Sequence, residues 1–147
     1  MKNKQADTHK KITDRGAYVI PPVAGDEFSE LRVGHHKATL IFQDSHGASS
    51  QLELWEAITL VQGDVEIYMN GCKPGCTSHP NAFTPLLDML GAMVVDARAS
   101  RNGMLEIDLS NGWKMRIVPD SGYEAWEFKG WGYSSIIGAD AHLIIFR

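Results

Sequence analysis

The stretch from Leu105 to Ile117 constrains the fold more than any other part of the chain. Leu105, Ile107 and Leu109 alternate with Glu106 and Asp108. Trp113, Met115 and Ile117 alternate with Lys114 and Arg116. Alternation with a period of two marks strands with one buried face. Between the two runs stands Ser110-Asn111-Gly112. A two-residue Asn-Gly turn would set Leu109 against Lys114 and Ile107 against Arg116, mixing apolar and charged side chains on one face. A three-residue loop sets Leu109 against Trp113, Asp108 against Lys114, Ile107 against Met115, Glu106 against Arg116 and Leu105 against Ile117. Apolar then meets apolar, and each acid meets a base. Gly112 takes the left-handed position that such a loop needs. Each pair contributes roughly 0.2–1 kcal/mol, so their agreement fixes the register.

Other segments carry the same signal. Lys37 to Asp44 reads as a strand with Leu40 and Phe42 inward, and Gln51 to Leu60 as its return. Pairing Leu40 with Leu54 and Phe42 with Leu52 gives a hairpin around Ser45-His-Gly-Ala-Ser49 whose loop is two residues longer than the later one. Val65 to Met69, Ala92 to Ala99, Tyr123 to Lys129 and His142 to Phe146 read as further strands. Leu40-x-Phe42, Ser45-His-Gly47, Leu52-x-Leu54 and Glu56-Ala57 match Leu105-x-Ile107, Ser110-Asn-Gly112, Met115-x-Ile117 and Glu124-Ala125, which suggests two related meanders. One helix is expected over about 84–90. Thr84 caps it, Pro85 occupies its first position and Gly91 ends it. Tyr18 to Gly25 is an extended lead-in whose paired prolines exclude helix and central strand. The expected fold is mainly β, an antiparallel sandwich or curved roll of two meander-like halves with one short α-helix.

The chain has 147 residues, 44% hydrophobic and 22% charged, which suits one soluble domain. Residues 1–16 carry a net charge of +3 and read as a flexible basic tail ahead of a single β-rich domain over 17–147. The whole chain is at −4, which leaves −7 on that domain. An acidic body argues against nucleic acid as a partner and suits a basic protein. No apolar run is long enough to span a membrane and no secretory signal is visible, so a cytoplasmic setting is the default. The oligomeric state is not legible.

Candidate sites are few. Cys72-Lys-Pro-Gly-Cys76 with His79 supplies three soft ligands, but structural zinc wants four, and no second pair exists. A fourth would have to be a distant His35, His36 or His46. Free thiols in a reducing compartment are the simpler reading, and a disulfide is the alternative in an oxidising one. No cofactor is indicated, and neither a glycine-rich phosphate loop nor a nucleophile motif occurs. Glu124 and Glu56 fall on apolar faces. A desolvated carboxylate there has a raised pKa and can serve as an acid or base. The plainer reading is a strand-end carboxylate that accepts loop N–H bonds. Trp113 and Trp126 read as core, whereas Trp131 and Tyr133, between Gly130 and Gly132 and next to it, read as a presented aromatic loop. Arg98, Arg101, Lys114 and Arg116 are the only cations that cluster usefully for a phosphate.

The unit Leu-x-Ile-x-Leu-Ser-Asn-Gly112-Trp, followed by Pro119-Asp-Ser-Gly-Tyr-Glu-Ala-Trp-Glu127, resembles a family of small bacterial domains of unknown function. Their mark is a Tyr-Glu-Ala-Trp-Glu-like box after a strand, polar-Gly turn, strand unit. The likeness covers roughly residues 27–147 and is specific at 123–127. Some such domains are thought to act as immunity proteins beside polymorphic toxins. The resemblance implies that role. Together with the acidic body and the aromatic loop, it leads to the expectation of a non-enzymatic binding protein that neutralises a protein partner, such as a basic toxin. Tyr123, Glu124, Glu127, Trp131, Tyr133, Arg98 and Arg116 are its candidate binding residues. The alternatives are a protein that sequesters a small molecule or signalling nucleotide between sheet and helix, and, less favoured, an enzyme using Glu124.

Overall fold

The computed structural model describes residues 10–34, 37–70, 80–119, 124–132 and 134–147. Its strands are β1 (Thr13–Asp14), β2 (Tyr18–Ile20), β3 (Glu27–Val33), β4 (Ala38–Gln43), β5 (Ser49–Leu54), β6 (Ile58–Gln62), β7 (Val65–Met69), β8 (Val94–Ser100), β9 (Leu105–Leu109), β10 (Lys114–Ile117), β11 (Glu124–Trp131), β12 (Ser134–Ala139) and β13 (His142–Phe146). They form two antiparallel sheets. Sheet I has the order β1-β2-β8-β9-β10-β6-β7, and sheet II the order β13-β12-β11-β5-β4-β3. Leu60, Ile107 and Met115 from sheet I share one buried cluster with Leu40, Phe42, Leu52, Trp126 and Phe128 from sheet II. The fold is thus a sandwich, mainly β as the alternation demands. The β9–β10 hairpin has the three-residue loop, with Ile107 opposite Met115 and Asp108 opposite Lys114. Gly112 sits at φ +90°.

The two halves are related by an internal pseudo-twofold. Glu27 of β3 bridges Met93, just before β8, and the backbone bonds around that point come in equivalent pairs. Val94 N–H donates to Asp26 O at 2.7 Å, and Phe28 N–H to Ala92 O at 2.9 Å. Gly25 N–H donates to Val94 O and Gly91 N–H to Phe28 O, both at 2.8 Å. Both glycines have left-handed backbones, at φ +90° and +92°. β3 and β8 each carry a bulge, between Phe28 and Glu30 and between Val94 and Asp96. Each half builds a three-stranded meander in one sheet and then crosses to the other. There β6 pairs with β10, and β11 with β5. Leu60 faces Met115 and Phe128 faces Leu52, so the match of Glu56-Ala57 to Glu124-Ala125 falls at the two crossovers.

Several expectations need correction. The first hairpin pairs Leu40 with Leu52 and Phe42 with Ser50, not with Leu54 and Leu52. Asp44 closes its turn early by accepting N–H bonds from His46 and Ala48, so this loop matches the later one in length. Gln51 to Leu60 is not one strand. Trp55 N–H donates to Ala125 O where the chain leaves sheet II, and β6 begins in sheet I. Tyr18 to Ile20 does enter a sheet, between β1 and β8, and the chain leaves it at Pro21. Gly91 follows the helix as expected, but the helix runs from Pro80 to Met89 as 3₁₀ turns. Pro85 lies inside it and cannot donate to an α-helical ladder. The end of the presumed flexible tail is tied to the body. β1 pairs with β2, Asp14 pairs with Arg101, and Lys10 Nζ lies 3.1 Å from Asp26 and 3.2 Å from Asp44. Residues 1–9 lie outside the described residues. Among the described residues no helix is long and apolar enough to cross a membrane.

Candidate functional site

Strand pairing dictates what the outer face of sheet I presents. One row across β7, β6, β10, β9 and β8 reads Glu66, Val61, Lys114, Asp108 and Asp96. The next reads Tyr68, Thr59, Arg116, Glu106 and Arg98. Glu106 is the centre of the charged part. Arg98 and Arg116 each reach its carboxylate at 3.0 Å, and Lys114 stands 3.6 Å away. Burial pushes the Glu106 carboxyl up. Arg116, Lys114 and Arg98 outweigh that and hold it below the ordinary carboxylate range. Arg98 also reaches Asp108 at 3.1 Å and Asp96 at 3.0 Å. The arginines that the sequence offers for a phosphate are therefore paired with carboxylates. Arg101 is engaged elsewhere, on Asp14 and the Gly16 carbonyl.

A hollow of about 350 Å³ opens at the end of this face. Two turns meet there. Gly63-Asp64 joins β6 to β7, and Ser110-Asn111-Gly112 joins β9 to β10. Gly112 has a left-handed backbone at φ +90°, and a Cβ there would stand 3.2 Å from the Gln62 amide, which would have to shift slightly. Val61, Val95 and the half-buried Trp113 give the hollow an apolar lining, with Asp108 and Lys114 at its edge. Val95 is 60% exposed. Alternation back from the buried Ala97 and Ala99 would turn Val95 inward; the bulge between Val94 and Asp96 shifts the phase, so Val94 packs inside while Val95 and Asp96 both stand outside. The exposed Leu90 and Met93 extend the apolar surface towards the 3₁₀ helix, whose Met89 contacts Asn111 of the turn. Three exposed acids lie next to lining residues: Asp64 follows Gly63, Glu66 pairs with Val61, and Asp96 pairs with Asp108.

The outer face of sheet II repeats this plan with other residues. Glu53, 7% exposed, is clasped by Lys129 at 2.6 Å and Lys37 at 2.9 Å. Burial raises its carboxyl, and the two lysines more than offset this, leaving it below the ordinary range. Beside it a trough of about 490 Å³ is lined mainly by polar groups: Ser29, Glu30, Arg32, Gln43, Ser49 and Gln51 among them.

The candidate binding residues do not converge. Arg98 and Arg116 lie on sheet I, and Glu127 on sheet II, opposite Glu53. Glu124 is exposed, not on the buried face. A bulge between Glu124 and Trp126 lets Ala125 and Trp126 both pack inside and turns Glu124 out. The desolvation invoked for it is absent. Trp131 is not presented either. It is 6% exposed, with its ring 5.1 Å from that of Phe128 in a row that continues through Phe42 to Phe28. Tyr123, Tyr133, Cys72, Cys76 and His79 lie outside the described residues. Among the described residues no group of three or more His, Cys, Asp or Glu side chains is placed to hold a metal. Nothing local in the sequence announces the hollow, because Trp113 reads as core.

Residues 19–139 match a family described only as a family of unknown function, DUF6188. The chain belongs to that family. The DUF6188 span runs from β2 to the end of β12 and includes both halves of the pseudo-twofold. No curated protein and no solved structure matches the chain.

Proposed function

We propose that this DUF6188 protein is a non-catalytic binding protein that captures and neutralises a basic protein partner, as an immunity protein does beside its toxin. The observation that carries the reading is the hollow at the end of sheet I, an apolar centre of Val61, Val95 and Trp113 edged by Asp108 and Lys114, with Glu66 paired across from Val61, Asp96 across from Asp108, and Asp64 next in the chain to Gly63. An apolar anchor site inside a charged rim is how interfaces combine affinity with steering. The sign fits a basic partner, because Arg98 and Lys114 are turned onto Glu106 and Asp108 while Asp64 and Glu66 stand exposed. The site differs from the aromatic loop that the sequence suggests.

Co-expression with the basic product of a neighbouring gene tests this. The reading expects the two to co-purify and the chain to relieve any growth arrest. Val95→Arg, at an exposed position, should leave folding intact and weaken the complex by about 2 kcal/mol or more, as truncating a central anchor does. Failure to co-purify and failure to protect sink it. The second reading, a small-molecule binder, is favoured by the size and polarity of the sheet II trough. A thermal-shift screen with nucleotides tests that one, since a ligand at 100 times its Kd adds about 2.7 kcal/mol.

A further inference from the structure

We infer that β7 is a docking edge for a second copy of this chain, which pairs with it antiparallel and joins two copies of sheet I into one sheet. The pseudo-twofold supplies the precedent. β7 and β12 are equivalent strands, since β7 pairs with β6 and β12 with β11. The far side of β12 is covered by β13, with Ile137 opposite Ile144 and Ser135 opposite Phe146. Among the described residues no strand covers the far side of β7, which ends its sheet.

The strand is suited to the role. Natural open edges are blunted by bulges, prolines or lysines. The edge strand β3, at the opposite end of the pseudo-twofold pattern, has a bulge and the Glu30–Arg32 pair. Val65-Glu-Ile-Tyr-Met69 has no bulge, proline or lysine, carries Glu66 as its one charge, and pairs with β6 without a register shift. The two-residue turn Gly63-Asp64 makes Gln62 and Val65 a hydrogen-bonded pair, so by alternation Glu66 and Tyr68 direct their N–H and C=O outward. Those four groups match a second β7 when Glu66 faces Tyr68 of the second copy. Ile67 then faces its own counterpart, and Val65 faces Met69. No like charges oppose. A shift that set Glu66 against Glu66 would oppose two carboxylates. The exposed Tyr68 and Val65, at 64% and 53%, would be covered at the seam.

The test uses the full chain. Light scattering after gel filtration should give a dimer. Tyr68→Pro removes an outward N–H and no bond to β6, so it should give a monomer with an unchanged circular dichroism spectrum. Independently, with Cys72→Ser and Cys76→Ser as background, Ile67→Cys should form a disulfide-linked dimer on mild oxidation, because residues opposed in a non-hydrogen-bonded pair have Cα atoms about 4.5 Å apart. Glu66→Cys should not crosslink. A chain that stays monomeric at every accessible concentration overturns the inference. So does a dimer that survives Tyr68→Pro, or one in which Ile67→Cys fails to crosslink.

Discussion

Replacing Trp126 with Phe should cost about 2–4 kcal/mol of stability, and the structure gives the parts of that figure. The indole of Trp126 belongs to sheet II, yet its Nε1–H donates to the carbonyl of Gly103, in the β8–β9 turn of sheet I, at 2.8 Å. The bond is buried and Trp126 is 0% exposed. Phe cannot donate, which leaves that carbonyl desolvated without a partner at a cost of about 1–3 kcal/mol. The smaller ring also leaves a void worth about 1 kcal/mol at roughly 24 cal/mol per Å³. At about 2–4 °C per kcal/mol for a chain of this size, the melting temperature should fall by roughly 4–16 °C. Urea denaturation followed by far-ultraviolet circular dichroism measures the loss directly. Gly138 provides a second handle, because a Cβ there would fall inside the indole. Gly138→Ala should be destabilising alone and less so when Phe occupies 126, a coupling of about 1 kcal/mol or more. A loss below about 1 kcal/mol in Trp126→Phe, with purely additive behaviour in the double variant, would refute the claim that this bond ties the two sheets together.

Lys10→Met should destabilise the protein by about 1–3 kcal/mol at neutral pH, because it leaves Asp26 and Asp44 without their shared cation. Burial already raises the pKa of Asp26, with Lys10 opposing that rise. Losing the lysine raises it further, so the deficit should shrink as pH falls and the folded state takes up the proton; urea melts along a pH series read this out. Glu106 has the opposite sign. Its folded pKa is lowered, so its contribution is present above the unfolded value near about 4.3 and is lost as pH falls through the lower folded value. Glu106→Gln should therefore flatten the acid limb of the stability profile, and an unchanged limb would count against the network. Gly112→Ala should cost about 1–2 kcal/mol, since the position lies at φ +90° and a Cβ would crowd Gln62; chemical denaturation checks it.

What could be read from the sequence was what is local. Leu105 to Ile117 states its own register because each side chain has its partner within a few residues. Gly91 marks the end of the helix for the same reason. What escaped depends on distant partners. Nothing in Gln51 to Leu60 says that Trp55 marks a change of sheet, because the acceptor that draws it aside is Ala125. Glu124 reads as inward-facing under strict alternation, and a bulge between it and Trp126 reverses that. Ser134 to Ala139 carries too little alternation to announce β12, since Gly138 is kept small by the indole packed on it. The repeat was visible through its turns and crossovers, although β4 runs on so that Leu40 is equivalent by pairing to Ile107, not Leu105. The hollow needs three separate elements to meet.

Calorimetric titration of the wild type and Val95→Arg against a basic co-purifying partner, at low and at moderate salt, tests the functional account most directly. The account predicts saturable binding that weakens with salt and drops at least about thirtyfold in Val95→Arg, while the variant keeps its melting temperature. Equal affinity of the two proteins, or binding indifferent to salt, would contradict it.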